Sequence, residues 1–305
     1  MKNKKTKTKA KILFAVLVIA ALAIALATYF GFFKKASNEV ILIIESGEVQ
    51  VDYGKGWQNA ENGSRLDVTT KVKTLNGTAL ISFSEDAVIR LEENTEIEIK
   101  QLKDEIAIEQ KYGSTWNKLF HILTGYTVET PTTTAAVRGT AFLIDATDKM
   151  ISLAVEEGIV EVKTRANETE KVTEFESIKK TGDEPLKKSW LTQEQKRRIL
   201  KNLIKDIELL KERRLRKLME LSSNPFIRLI AKKYNITKEK IPQLLEDIDS
   251  GKINLTEIKA RIPLRSSKLD EVYDLNNEII RIRERIKMFE NELKSENLKE
   301  SEEPE

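Results

Sequence analysis

The side chains able to do chemistry in this 305-residue chain are few in kind. There is one histidine, His121, and no cysteine. Disulfides, thiol catalysis, Fe–S clusters, a lipidated amino-terminal cysteine and multi-histidine metal sites are therefore excluded together. His121 falls off the apolar stripe around it and reads as a surface side chain rather than a proton shuttle. What remains is carboxylate and guanidinium chemistry. Two acids suffice to hydrolyse a glycosidic bond, and 49 acidic residues offer many pairs. Glu92, Glu93, Glu96 and Glu98, however, lie where a solvated strand face or edge belongs. No nucleophile elbow, P-loop, zinc pair or dinucleotide fingerprint occurs, so the sequence points to no cofactor, no metal and no catalytic residue. An exported hydrolase is the least favoured reading.

The densest set of distinctive residues is Val128–Phe142, with Thr130, Pro131, the run Thr132 to Thr134, and then Val137, Arg138, Gly139, Thr140 and Phe142. Thr130-Pro131 breaks a strand, Gly139 permits a bulge or a positive φ, and Val137 and Phe142 suit a core. Arg138 could hold two loops together by paired hydrogen bonds to a carboxylate or to carbonyls. Alternatively, Arg138 and Thr132 to Thr134 face a ligand or partner.

The elements that position this segment are short strands. Val49, Val51 and Tyr53 alternate with polar residues, as do Ile97 and Ile99, Ile106 and Ile108, and Ile151, Leu153 and Val155, which lead on to Val160 and Val162. Turn sequences at Gly54 to Gly56, Asn62-Gly63, Asn76-Gly77 and Glu157-Gly158 separate them. Residues 36–185 thus read as a mainly β domain of short antiparallel strands. One short helix is expected within it, from Trp116, Leu119, Phe120 and Leu123 at helical spacing after Ser114 and before Gly125. Two phrases recur in mirrored order. Glu45-Ser46-Gly47-Glu48-Val49-Gln50-Val51 returns as Glu156-Glu157-Gly158-Ile159-Val160-Glu161-Val162, and Gly77-Thr78-Ala79-Leu80-Ile81 returns as Gly139-Thr140-Ala141-Phe142-Leu143. They suggest two related layers and leave a solenoid or roll open.

The segment Val128-Glu129-Thr130-Pro131, followed after five residues by Val137-Arg138-Gly139-Thr140-Ala141-Phe142, resembles the signature of the FecR-type extracytoplasmic domain, V-x-T-P-x(5)-V-R-G-T-x-F. The surrounding outline is similar too: Gly47 to Val51, Trp57 to Ala60, Gly63 to Leu66, Val72 to Thr74, Gly77 to Phe83, Val88 to Leu91 and Glu157 to Val162. The resemblance covers roughly residues 43–165. It implies an exported, non-enzymatic β domain used for sensing, scaffolding or envelope interaction. The best-known relatives sense an outer-membrane transporter and control a sigma factor through a cytoplasmic domain. Here the expected cytoplasmic segment is eleven residues of mostly lysine and threonine, too short for such a module.

Compartment follows from the amino terminus. Six lysines precede an uncharged stretch, residues 12–33, and Lys34 and Lys35 close it. At about 1.5 Å per residue the stretch matches a hydrocarbon layer of about 30 Å. Its aromatic end, Tyr29 to Phe33, and its lysine tail predict a single-pass anchor in the lipid bilayer, with the tail cytoplasmic and the bulk outside. Residues 1–35 then form tail and transmembrane helix. Ala25-Leu26-Ala27 leaves cleavage as a signal peptide open, and both readings export residue 36 onward. Five sequons, at Asn62, Asn76, Asn167, Asn235 and Asn254, agree with export without establishing glycosylation.

The net charge of +3 misleads, because residues 1–35 hold eight lysines and no acid, leaving 44 basic against 49 acidic side chains. Residues 36–185 carry 16 basic and 27 acidic side chains, which argues against nucleic acid as a partner. After the linker-like Thr181 to Pro185, residues 186–305 read as an α-helical, coiled-coil region. Thr192 to Gln195 forms a capping box ahead of a helix to about Leu221, with Leu200, Leu203, Ile207 and Leu210 on one stripe. Asn224-Pro225 should start another helix, and Pro242, Gly251 and Pro263 punctuate shorter pieces. Val272, Leu275, Ile279, Ile282, Ile286, Phe289 and Leu293 keep a coiled-coil seam. That seam pairs with the first helix in the same chain, or makes a homo-oligomer through residues 268–294. The expected partner of the whole is an unknown envelope protein or surface ligand, with a structural spacer that senses nothing as the alternative.

Overall fold

The computed structural model describes residues 39–103, 105–120, 125–223, 237–255 and 267–302. They form two compact units, which meet in sequence between Gly139 and Thr140. Among the described residues no helix is long and apolar enough to cross a membrane. The expected span, residues 12–33, lies outside them, as do the expected helix start at Asn224-Pro225, Pro263, Asn235 and His121.

In the first unit the chain repeatedly runs along one set of strands, turns, and returns along another. The strands are β1 (Val40–Ser46), β2 (Val49–Asp52), β3 (Gln58–Asn59), β4 (Arg65–Leu66), β5 (Lys71–Thr74), β6 (Thr78–Phe83), β7 (Ala87–Leu91), β8 (Thr95–Gln101), β9 (Ile106–Leu119), β10 (Tyr126–Glu129) and the start of β11 (Thr133–Ala146). One set is ordered β4-β1-β6-β7 and continues into the second half of β9, with Ala87 opposite Leu119 and Leu91 opposite Thr115. The other is ordered β3-β2-β5-β8 and continues into the first half of β9, with Ile97 opposite Gln110. The apolar residues alternating along these strands, among them Leu42, Val51, Val72, Ile81, Ile89, Ile97 and Ile99, are buried.

The turns between the two sets stack. Leu75 donates its N–H to the Glu48 carbonyl at 3.0 Å, and Asn94 donates to the Leu75 carbonyl at 3.0 Å. Thr74, Thr95 and Thr115, fully buried, line these corners. Thr74 Oγ1 donates to the Glu92 carbonyl at 2.5 Å and accepts from Thr95 N–H at 3.0 Å, while Thr95 Oγ1 accepts from Ser114 N–H at 2.9 Å. Gly113, at φ +94°, turns β9 itself from one set to the other.

Two expectations are corrected. Residues 114–119 form strand and not helix, because they pair with β7 along its full length. Trp116, Asn117, Lys118 and Leu119 are all buried in succession, so neither face of the strand is wet and the period-2 signal vanishes. Nor is the sheet wholly antiparallel, since β10 runs parallel to β9, with Tyr126 opposite Ile106 and Glu129 opposite Glu109.

The second unit combines the rest of β11 with β12 (Met150–Thr164), β13 (Thr169–Thr173), β14 (Glu176–Thr181) and β15 (Lys187–Trp190). β12 pairs antiparallel with β13 through its second half and with β14 through its first. Gly158, at φ +86°, lies between these two paired stretches. β14 pairs with β15 across the Thr181 to Pro185 turn.

Three helices follow among the described residues: α1 (Gln193–Ser223), α2 (Ile241–Asp249) and α3 (Ser267–Glu302). The capping box closes as its sequence predicts, with Gln195 N–H donating to Thr192 Oγ1 at 3.2 Å and Thr192 N–H donating to Gln195 Oε1 at 2.9 Å. Helices α1 and α3 pair within the chain, running antiparallel. Lys196 reaches Glu292 at 3.1 Å and Glu296 at 2.7 Å, and at the other end Lys217 reaches Glu271. Of the seven seam residues, Val272, Ile279, Ile282, Phe289 and Leu293 are buried and Leu275 and Ile286 half-buried. Arg214, 1% exposed, crosses the helical layer to donate to Asn276 Oδ1 at 2.5 Å and Asp249 Oδ2 at 2.6 Å.

Candidate functional site: the Thr130 to Phe142 segment

Thr130 and Pro131 make the turn of the β10–β11 hairpin. Thr130 N–H donates to the Thr133 carbonyl at 2.8 Å, and Thr133 N–H donates back to Thr130 Oγ1 at 3.0 Å. Pro131, whose fixed φ suits the first central position of a turn, needs no donor there. The hairpin register sets Tyr126 opposite Val137, Val128 opposite Ala135 and Glu129 opposite Thr134. Ala135 and Val137 are buried while Ala136 is exposed, so this stretch alternates.

The alternation stops at Gly139. With φ +57° and open space where a Cβ would stand, that residue lets the strand change course. Beyond it Thr140, Ala141, Phe142, Leu143 and Ile144 are all buried. Thr132 Oγ1 and Thr140 Oγ1 are shielded from solvent and make no hydrogen bond. Arg138 lies in β11, and its side chain is outside the described portion.

Behind the hairpin runs a buried polar chain that no sequence pattern announced. Tyr126 OH donates to Asn117 Oδ1 at 2.6 Å, Asn117 Nδ2 to Thr115 Oγ1 at 2.9 Å, Thr115 Oγ1 to Gln110 Oε1 at 2.7 Å, and Gln110 Nε2 to the Gly113 carbonyl at 2.8 Å. Burial pushes the Tyr126 phenol well above its ordinary range, so it serves as a permanent donor. Isolated Tyr, Asn, Thr and Gln residues have no diagnostic spacing, and only strand pairing brings these four together.

The acidic strand β8 is engaged in ion pairs. Glu96 meets Lys111 Nζ at 2.9 Å and accepts from Tyr112 OH at 3.1 Å, and Lys100 lies 3.2 Å from Glu98 and 2.6 Å from Glu109. These carboxylate bonds raise the Lys111 and Lys100 ammonium groups above their usual range, although burial opposes the shift. Among the described residues no group of His, Cys, Asp or Glu is placed to hold a metal ion.

Residues 68–161 match the family described as FecR protein. The β-rich part of the chain therefore carries a FecR domain, and the Thr130 to Phe142 segment lies within it. No curated protein sequence matches the chain. Two crystal structures of a candidate anti-sigma factor from Parabacteroides distasonis are similar at 16% identity and a TM-score of 0.36. The similarity covers 39% of this chain and spans 59% of theirs.

Proposed function

We propose that this chain is a membrane-tethered FecR-domain protein, anchored by residues 12–33, that works outside the membrane by binding another envelope protein or a surface ligand rather than by catalysis. The observation that carries the reading is the FecR match over residues 68–161, which contains the Thr130 to Phe142 hairpin. Val137 and Phe142 belong to the core, and Thr130 and Thr133 hold the turn, so these residues shape the domain. Contact with a partner then falls to the outward positions of β11, among them Ala136, and to Arg138. The paired carboxylates of β8 support the non-catalytic assignment, since they are engaged with lysines.

The spacer reading draws support from the same geometry, because Thr130, Thr133, Val137 and Phe142 are all occupied by their own fold. A photo-crosslinking side chain at Ala136 in the full chain, activated in intact cells, separates the two. Binding predicts a discrete protein or ligand adduct that disappears when Arg138 is changed to alanine. A spacer predicts no adduct.

A further inference from the structure

Phe175 occupies a backbone conformation that its side chain disfavours. It sits between β13 and β14 at φ +67°, in the left-handed region where a bulky residue is an outlier and a local strain. Its ring is held by α3. Phe289 meets it edge-on, with ring centroids 5.7 Å apart and planes at 83°, and the Arg285 guanidinium lies 4.7 Å from its centroid. The same guanidinium reaches two carboxylates, Glu156 at 2.9 Å and Glu174. Glu156 is almost wholly buried, with its side chain 3% exposed. One turn earlier on α3, Arg281 stands 3.9 Å from Glu157.

These contacts converge on one part of the sheet. Phe175 donates its N–H to the Val155 carbonyl at 2.9 Å and accepts from Leu191 N–H at 3.0 Å. Val155, Glu156 and Glu157 immediately precede the positive-φ Gly158, and all four lie inside the FecR segment. Helix α3 thus grips the end of that segment twice, directly at Glu156 and Glu157 and indirectly through the strained Phe175.

We propose that α3 is a strap that holds the Val155 to Gly158 part of β12 in place, and that release of the strap and relaxation of this strand are one coupled event. The chemistry supports coupling. If α3 withdraws, Phe175 loses both the Phe289 ring and the Arg285 guanidinium that offset its backbone strain, and Glu156 and Glu174 lose their ion pairs with Arg285. The balance that holds Phe175 against Val155 then changes, and the strand rearranges with the helix. The proposal rests on the reading of the chain as one that responds to a partner, for which such a strap supplies an output.

The test is hydrogen exchange on the full chain, which needs no partner, so its failure leaves the binding reading standing. Arg285→Gln should speed exchange in 267–302 and in 153–178 together, by at least about tenfold, while 40–103 keeps its wild-type rates. Faster exchange in the helix with 153–178 unchanged overturns the coupling, as does a uniform rise that includes 40–103. A second substitution guards against misfolding. Phe289→Leu keeps an apolar side chain on α3 but removes the ring that meets Phe175 edge-on. It should speed exchange in both segments, by less than Arg285→Gln, and faster exchange in the helix alone contradicts the proposal.

Discussion

Gly47 and Gly77 approach so closely at neighbouring corners of the β unit that neither position has room for a side chain. A Cβ on Gly47 would lie 2.5 Å from the Asn76 carbonyl oxygen and 2.6 Å from Gly77 Cα, and one on Gly77 would lie 2.7 Å from the Glu48 nitrogen. All these obstacles are backbone, which cannot step aside as a flexible side chain can. The two recurring phrases in the sequence do not share this crowding: Gly47 and its counterpart Gly158 both have positive φ, whereas Gly77 is crowded without positive φ and its counterpart Gly139 has positive φ and open space at its Cβ position.

Gly47→Ala and Gly77→Ala should each cost about 2–5 kcal/mol, combining backbone strain or displacement with overpacking. Gly54→Ala is the control. That glycine also has positive φ, at +84°, but nothing lies within 4 Å of its Cβ position. It should cost only about 1 kcal/mol. Urea unfolding midpoints of the three variants check the ranking.

Tyr126→Phe should cost about 1–3 kcal/mol, because Asn117 Oδ1 loses its donor in a buried site. The phenol also imposes a sign on the pH dependence. Its folded pKa is raised, so the stability it contributes is complete below the unfolded value of about 10 and is lost as pH climbs beyond that toward the folded one. Absorbance at 295 nm should therefore show one tyrosine ionising only together with alkaline unfolding, and Tyr126→Phe should remove that step.

Asp52 should behave in the opposite sense. Burial nudges its carboxyl upward, but N–H groups from Gly56, Gly54 and Lys55 and the charge of Lys71 outweigh this and hold it below the usual range. Its contribution is present above the unfolded carboxylate value of about 3.9 and disappears as pH falls through the lower folded one. An NMR titration of the Asp52 carboxyl carbon should give a midpoint below that of exposed aspartates, and a normal midpoint would contradict the assignment.

In the helical layer, Arg214→Ala should cost about 2–4 kcal/mol, since it strips a buried partner from Asn276 and Asp249 while Arg283, 3.2 Å from Asp249 Oδ1, remains. Thr192→Ala should cost about 1 kcal/mol through the lost cap. Thermal melts followed by the helical circular dichroism signal compare the two.

Much of this architecture is legible in the residues, and the illegible parts share a cause. The capping box at Thr192 to Gln195 and the α3 seam are local patterns with one physical solution each, and both form as read. Strands with one wet face, such as Val49 to Asp52, declare themselves by alternation. The stretch Ser114 to Leu119 does not, because a strand buried on both sides has no polar face to mark its period, and its Trp116 and Leu119 then mimic a helical spacing. The parallel β9–β10 pair, the polar chain behind Tyr126 and the grip of α3 on Phe175 depend on residues brought together by the fold, which no short window contains. The candidate hairpin was visible as Thr130-Pro131 and Gly139, two residue types whose backbone limits are intrinsic.

Topology mapping tests the central claim most directly, that the FecR domain stands on the far side of a membrane from the lysine tail. Single cysteines at Asn3 and at the exposed Glu161, each the only thiol in its chain, would be offered an impermeant maleimide on intact cells. The account predicts labelling of Glu161→Cys and protection of Asn3→Cys until the membrane is permeabilised. Protection of both, or labelling of Asn3→Cys alone, would contradict it.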